Sequence, residues 1–208
     1  MSFDPTPVVL EGHVVRLEPL DVSHAEELLR AIEIASDWQW MPRPAPADLA
    51  SMTRWVELAR TSATDGSSIP FAIIDRATNV ACGSTRYLDI RRDDLGLEIG
   101  WTWVGRAWQR TAVNTECKRM LLGHAFDTLG AQRVQLKTDS RNERSQRAIE
   151  RVGGVREGVL RRHMLRPDNS WRDSVLYSIV QEEWPEVRAR LDEMLERRSA
   201  GTTHAEGS

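Results

Sequence analysis

Residues 95–116, LGLEIGWTWVGRAWQRTAVNTE, leave this chain few ways to fold. Leu95, Leu97, Ile99, Trp101 and Trp103 share one parity, and Gly96, Glu98, Gly100 and Thr102 share the other. Successive side chains of a strand point to opposite faces. The spacing therefore predicts a strand with one apolar face in a core and the other face cleared around Glu98. Glycine weakens a strand interior unless something must approach its backbone, and here the expected visitor is a ligand. The turn Gln109-Arg110-Thr111 then opens into a helix marked by Val113, Cys117, Met120, Leu121, His124, Ala125 and Leu129, with Gly130 as its stop. The free N–H groups and positive dipole end of a helix start favour an anion such as phosphate. A carboxylate base beside a phosphate cradle points to chemistry on a phosphorylated cofactor.

A chain of 208 residues suits one well-buried domain. With a net charge of −3 and arginines interleaved with acids, it lacks the basic stripe of a nucleic-acid binder. Its two cysteines, Cys82 and Cys117, lie in apolar patterns without metal-ligand spacing and read as reduced thiols of a cytoplasmic protein. No metal-ligand cluster is visible. No signal peptide is expected from MSFDPTPVVLEG, and no apolar run is long enough to span a bilayer. A nucleotide-binding oxidoreductase is excluded because no G-x-G-x-x-G follows a strand.

The remaining pattern alternates strands and helices. A first strand over 8–20 is interrupted at Glu11-Gly12, and Asp21 or Ser23 caps a helix reaching about Ile34. A loop over 36–46, rich in Trp and Pro, leads to a helix over 47–62. Strands follow over 69–75, 80–90 and 95–103; after the long helix come a strand over 132–138 and a helix over 142–152. A hairpin over 155–180, turned at Pro167-Asp168-Asn169, and a helix around Val187 to Leu195 close the fold. Residues 1–198 form one domain by this reading, and the small, polar 199–208 form a disordered tail.

This order, with VRLEPL, EIGW, NERSQRAIERVGGVREGVLRRHM and RDSVLYSIVQEEWP, resembles the GNAT superfamily of acyl-CoA-dependent N-acyltransferases, and within it the RimJ/RimL-type branch. The resemblance covers roughly residues 8–197. It implies an α/β (α+β) fold: a central, mostly antiparallel mixed sheet of about seven strands flanked by helices, with the cofactor cleft between the splayed fourth and fifth strands. It also implies direct transfer of an acetyl or other acyl group from acyl-CoA to a primary amine, on a small molecule or a protein N-terminus. Neither metal, nucleic acid nor membrane is implied, and a homodimer is left open.

Carried onto this chain, the resemblance assigns Glu98 as the proton acceptor from the amine. The backbone of Trp101, Thr102 and Trp103 would hold pantetheine and the thioester carbonyl. The family's Q/R-x-x-G-x-G/A loop becomes Gln109, Arg110, Thr111, Ala112, Val113 and Asn114, departing from the pattern at Ala112 and Asn114. Asn142 would touch the pantetheine arm. The tyrosine that many members use to protonate the thiolate is replaced by Ile149, and in this branch the role passes to Ser145. Trp38 and Trp40 border the acceptor pocket. The rival expectation is a non-catalytic acyl-CoA-binding or assembly module that keeps the fold.

Overall fold

A computed structural model describes residues 3–32, 38–64, 66–166 and 168–203. Eight strands form one sheet: β1 (Leu10–Glu11), β2 (Val15–Pro19), β3 (Ser68–Asp75), β4 (Val80–Arg91), β5 (Gly96–Val104), β6 (Arg133–Asp139), β7 (Val155–Leu165) and β8 (Trp171–Val180). Their spatial order is β1-β2-β3-β4-β5-β6-β8-β7. Every neighbouring pair is antiparallel except β5 and β6, which run parallel. The helices are α1 (Ala25–Ala31), α2 (Leu49–Thr64), α3 (Val113–Gly123), α4 (Glu143–Arg151) and α5 (Trp184–Thr203).

Two cores form because the sheet has two faces. One holds Leu97, Ile99, Leu121, Val134, Leu136, Tyr177 and Trp184, and takes in residues of α3, α4 and α5. The other lies under α1 and α2 and holds Leu28, Trp38, Met52, Trp55, Val56, Ala72 and Ile74. Both cysteines are buried thiols, and burial pushes Cys82 up to about 12 and Cys117 up to about 11. They are protonated and unreactive at neutral pH.

The eighth strand arises where one interrupted strand was expected. β1 and β2 fold back on each other, with Leu10 opposite Leu17 and Glu11 opposite Arg16. Glu116 of α3 makes that reversal possible. Its carboxylate, on a residue 4% exposed, accepts the N–H groups of His13 at 2.8 Å, Val14 at 2.6 Å and Val15 at 2.7 Å. A turn that enters a core at Val15 is stable only when its backbone donors find acceptors. A glutamate in a helical first turn carries no sign of such a contact in the sequence.

Other boundaries differ less. α1 ends at Ala31, and the expected extension to Ile34 lies outside the described residues, as do the start of the Trp/Pro-rich loop and Pro167. The long helix changes to a wider turn at His124–Thr128, and Gly130, at φ 72°, ends it. α5 continues to Thr203, so the first part of the expected tail has helical backbone; 204–208 lie outside the described residues.

Candidate active site

β5 and β6 part company just past Glu98. Their parallel pairing consists of Gly96 with Arg133, Leu97 with Val134 and Glu98 with Gln135. β5 then runs on to Val104 and β6 to Asp139 without pairing to each other, so their facing backbone edges are left open. A bulge drives the separation. Trp101 has φ 50°, and Trp101 and Thr102 together oppose Thr85, between the pairs Arg86–Gly100 and Ser84–Trp103. A bulge bends its strand and increases the twist.

The bulge also overturns the expected parity. Leu97 and Ile99 lie in the core on the α3 face, but Trp101 and Trp103 pack on the α1/α2 face. Thr102 turns the other way, accepting a hydrogen bond from Lys118 Nζ at 2.8 Å and pairing with the Thr85 hydroxyl at 2.8 Å. The space above the glycines is also filled differently from expectation. A Cβ on Gly100 would meet the Glu98 carboxylate oxygen Oε1 at 2.7 Å, and one on Gly96 would meet Arg91 Nη2 at 2.9 Å. The glycines make room for protein side chains.

Glu98 is 1% exposed. Its carboxylate pairs with Lys137 Nζ at 2.8 Å and accepts from Gln135 Nε2 at 3.2 Å. Buried carboxylates survive as charges only when so compensated. Lys118 is also buried, which pushes its ammonium below the ordinary lysine range against the opposing pull of Cys117 and Glu98. Burial likewise lowers His163, with Lys137 and Arg172 adding to the fall, and lowers Arg172 against the pull of Asp139. Glu98 itself is held by one cation, Lys137, and one amide, Gln135. Sequence reasoning missed Gln135, Lys137 and Lys118. RVQLKTD does alternate, with Gln135 and Lys137 between Val134, Leu136 and Thr138, but only strand register sets them beside Glu98.

The loop at the open end is braced from within. Arg110 has φ 64°, and the Thr111 hydroxyl donates to the Trp108 carbonyl at 2.7 Å and accepts the Val113 N–H at 3.3 Å. α3 starts at Val113 after Ala112, and the N–H groups of its first turn, Asn114 and Thr115 included, have no acceptor within the helix. The Gln109 amide donates to the Val104 carbonyl at 3.1 Å and accepts from Arg144 of α4 at 3.0 Å. Gln109 therefore ties β5 to α4, and its side chain is committed to protein partners.

On α4, Asn142 is buried and its Oδ1 accepts the Ser145 N–H at 3.1 Å, capping the helix. The Ser145 side chain is half-buried, while Ile149 is in the core. Trp40 is half-buried with Arg141 over its ring at 5.8 Å. Trp38 departs from expectation. It is 4% exposed, packed on Trp103 at 4.9 Å and Trp55 at 5.8 Å, and donates its indole N–H to the Arg43 carbonyl at 2.8 Å. Trp38 is a core residue that supports the site through Trp103. Eight tryptophans had to pack somewhere.

Residues 15–155 match the model of the acetyltransferase (GNAT) domain. The chain belongs to the GNAT acetyltransferase family. A GCN5-related N-acetyltransferase from Brucella melitensis is 30% identical with a TM-score of 0.87, over 92% of this chain and 87% of that one. YdaF of Bacillus subtilis (strain 168), provisionally named a ribosomal N-acetyltransferase, is 29% identical over 103 residues, 50% of this chain and 55% of YdaF. The matches to curated relatives span 50–63% of those proteins' length. Mycobacterium smegmatis RimJ, solved in complex with CoA-disulfide, shares the fold at a TM-score of 0.76 and 23% identity, over 92% of this chain and 95% of that one. These likenesses agree with the RimJ/RimL-type branch. Among the described residues of this GNAT chain, no group of three or more His, Cys, Asp or Glu could hold a metal. None of its described helices is long and apolar enough to cross a membrane.

Proposed function

We propose that this GNAT protein transfers an acetyl or closely related acyl group from acyl-CoA to a primary amine, by direct attack within a ternary complex. The observation that carries this reading is the parting of β5 and β6 immediately beyond a buried, counter-charged carboxylate. The open edge of β5 from Gly100 to Trp103 offers backbone groups to a pantetheine amide and to the thioester carbonyl. An N–H aimed at that oxygen stabilises the charge that develops on attack. The first turn of α3, at Ala112, Val113 and Asn114, supplies N–H groups and a dipole end for the pyrophosphate, with Arg110 and Thr111 beside it. Asn142 uses its Oδ1 as a cap, which leaves its NH2 for the pantetheine arm.

Aminolysis needs the amine lone pair and a destination for the proton released as the C–N bond forms. Glu98 is that destination, directly or through water, with Trp40 bordering the acceptor. The departing thiolate takes a proton from Ser145 or water. A thiol has an ordinary pKa of roughly 8.5, so its thiolate leaves without much help. The second reading, a binding module without turnover, draws on Ile149 standing in the core where many relatives have an acid tyrosine.

Calorimetry with CoA and acetyl-CoA should show saturable binding that weakens as salt rises, because part of the attraction is ionic. No heat at millimolar ligand with folded protein would remove the acyl-CoA reading. Thiol release across a panel of acyl-CoAs and amines then separates enzyme from binding module.

Ser145→Ala should slow transfer modestly while leaving stability within about 0.5 kcal/mol, as for a half-exposed side chain. Asn142→Ala is the comparison, since loss of a helix cap should lower stability by about 1 kcal/mol whatever happens to binding. Full activity in Ser145→Ala would make water the proton source.

A further inference from the structure

We infer that Arg86 holds a carboxylate carried by the acceptor, so that this site takes amines bearing a carboxylate a few bonds from the nitrogen. The inference rests on the transferase reading and names its substrate class. Arg86 lies on β4 opposite Gly100, and Leu88, two residues on, lies opposite Glu98. Paired and alternate residues share a face, so Arg86, Leu88, Glu98 and Gly100 all look toward the α1/α2 side. A cavity of about 390 Å³ opens there, lined by Ser68, Arg86, Leu88, Asp89 and Trp101 among others. Leu88 forms a common wall: it lines the cavity, and its Cδ2 lies beside the Glu98 carboxylate over Gly100.

Arg86 is 8% exposed. Its guanidinium lies 4.3 Å from the Trp101 ring and 5.0 Å from the Trp55 ring. Among the described residues it has neither a carboxylate partner nor a hydrogen-bond acceptor, and its Nε is fully buried without one. The Ser68 hydroxyl, on the same cavity wall and 6% exposed, is likewise buried without a partner. Burial, reinforced by the charge of Arg43, lowers the guanidinium to about 10, so it is still a cation at neutral pH. Asp89, also on the wall, is engaged by Arg91.

A buried cation without a counter-ion is unfavourable, and two indole faces compensate only part of the lost hydration. Guanidinium forks match carboxylates in two parallel N–H···O bonds, and a hydroxyl can add a third. The diagonal separation across two paired strands is roughly 7–8 Å. An amine delivering its proton to Glu98 can therefore place a carboxylate at Arg86 if only a few bonds separate the two groups. A free amino acid or an acidic residue at a peptide N-terminus has that chemistry.

The test uses the full chain with acetyl-CoA and follows thiol release. The probes are L-amino acids against their carboxamides, and tripeptides beginning with Glu against those beginning with Gln. The first pair reports free amino acids and the second reports N-termini. In at least one pair kcat/KM should favour the carboxylate by roughly 10²-fold or more, the discrimination expected of a site built around a polar substrate group. In Arg86→Gln that ratio should collapse toward one, mainly through KM; Arg86→Lys, which keeps charge without the fork, should recover part of it. Tryptophan emission of the CoA-saturated protein gives a readout independent of turnover, because Trp55 and Trp101 flank the guanidinium. Equal rates for carboxylate and amide in both pairs of the unaltered protein would overturn the Arg86 assignment and leave the transferase reading intact. Emission responding to carboxylates but not amides, without any thiol release, would support the anion site and sink the transferase reading. A preference that survives in a folded Arg86→Gln protein would also overturn the assignment.

Discussion

Glu98→Gln should lower turnover by roughly 10²–10⁴-fold while CoA affinity stays nearly unchanged. The substitution keeps the length and planarity of the side chain and removes its basicity. Glu98 does not depend on the helix N-terminus that would bind the pyrophosphate, so the nucleotide end should be indifferent to the change. What the change does disturb is the pairing with Lys137 at 2.8 Å and Gln135 at 3.2 Å. An amide oxygen can still accept from one of them. Lys137 is 22% exposed and can turn to water, which limits the folding penalty to about 1–3 kcal/mol. Initial rates with a turned-over amine, set beside calorimetry with CoA, measure both quantities. An unaltered rate at neutral pH would take Glu98 out of the chemistry and leave it as the counter-ion of Lys137.

The largest effect on stability should come from Glu116→Ala. One buried carboxylate serves the N–H groups of His13, Val14 and Val15, the last of them fully buried. Removing it strands the buried Val15 N–H, worth roughly 1–3 kcal/mol without a partner, and takes the acceptor from the part-buried donors of His13 and Val14. Water can reach the other two donors, so the loss should be about 2–3 kcal/mol, read as a lower urea midpoint with an unchanged slope. Glu116→Gln retains one acceptor oxygen and should fall between the two. A shift below 1 kcal/mol for the alanine variant would mean that the β1–β2 turn finds other acceptors. Glu116 lies in the first turn of α3, where the proposed pyrophosphate site is, so Glu116→Ala is expected to weaken CoA binding as well.

Much of this architecture was legible in local pattern. The buried face of the long helix, α3 and the wider turn after it, follows from Val113, Cys117, Leu121 and Ala125 at helical spacing, and its stop from Gly130 at φ 72°. EIGW and the segment from Asn142 to Gly154 led to the family, because runs of residues in a given order identify a fold without geometry. Glu98 stood out as a carboxylate inside an apolar strand. The reading of its neighbours failed where alternation was extended past Gly100. A bulge is one extra residue, and nothing in LEIGWTWV distinguishes a regular strand from one that reverses its faces at Trp101. Trp38 shows the same limit, since a tryptophan in a loop can line a pocket or fill a core, and packing chose the core.

Short-range chemistry, then, was determined by the sequence alone: which segments are amphipathic, where helices can start and stop, and which family shares the motifs. The tertiary structure decided what depends on residues far apart in the chain meeting. Glu98 with Lys137, Glu116 with the turn at His13–Val15, and the Arg86 guanidinium with the indoles of Trp55 and Trp101 are all such meetings. Each is a charge removed from water, and whether it is compensated depends on strand register and helix docking. Periodicity reports only that a position is buried; the partner that makes a buried charge tolerable comes from another strand or helix.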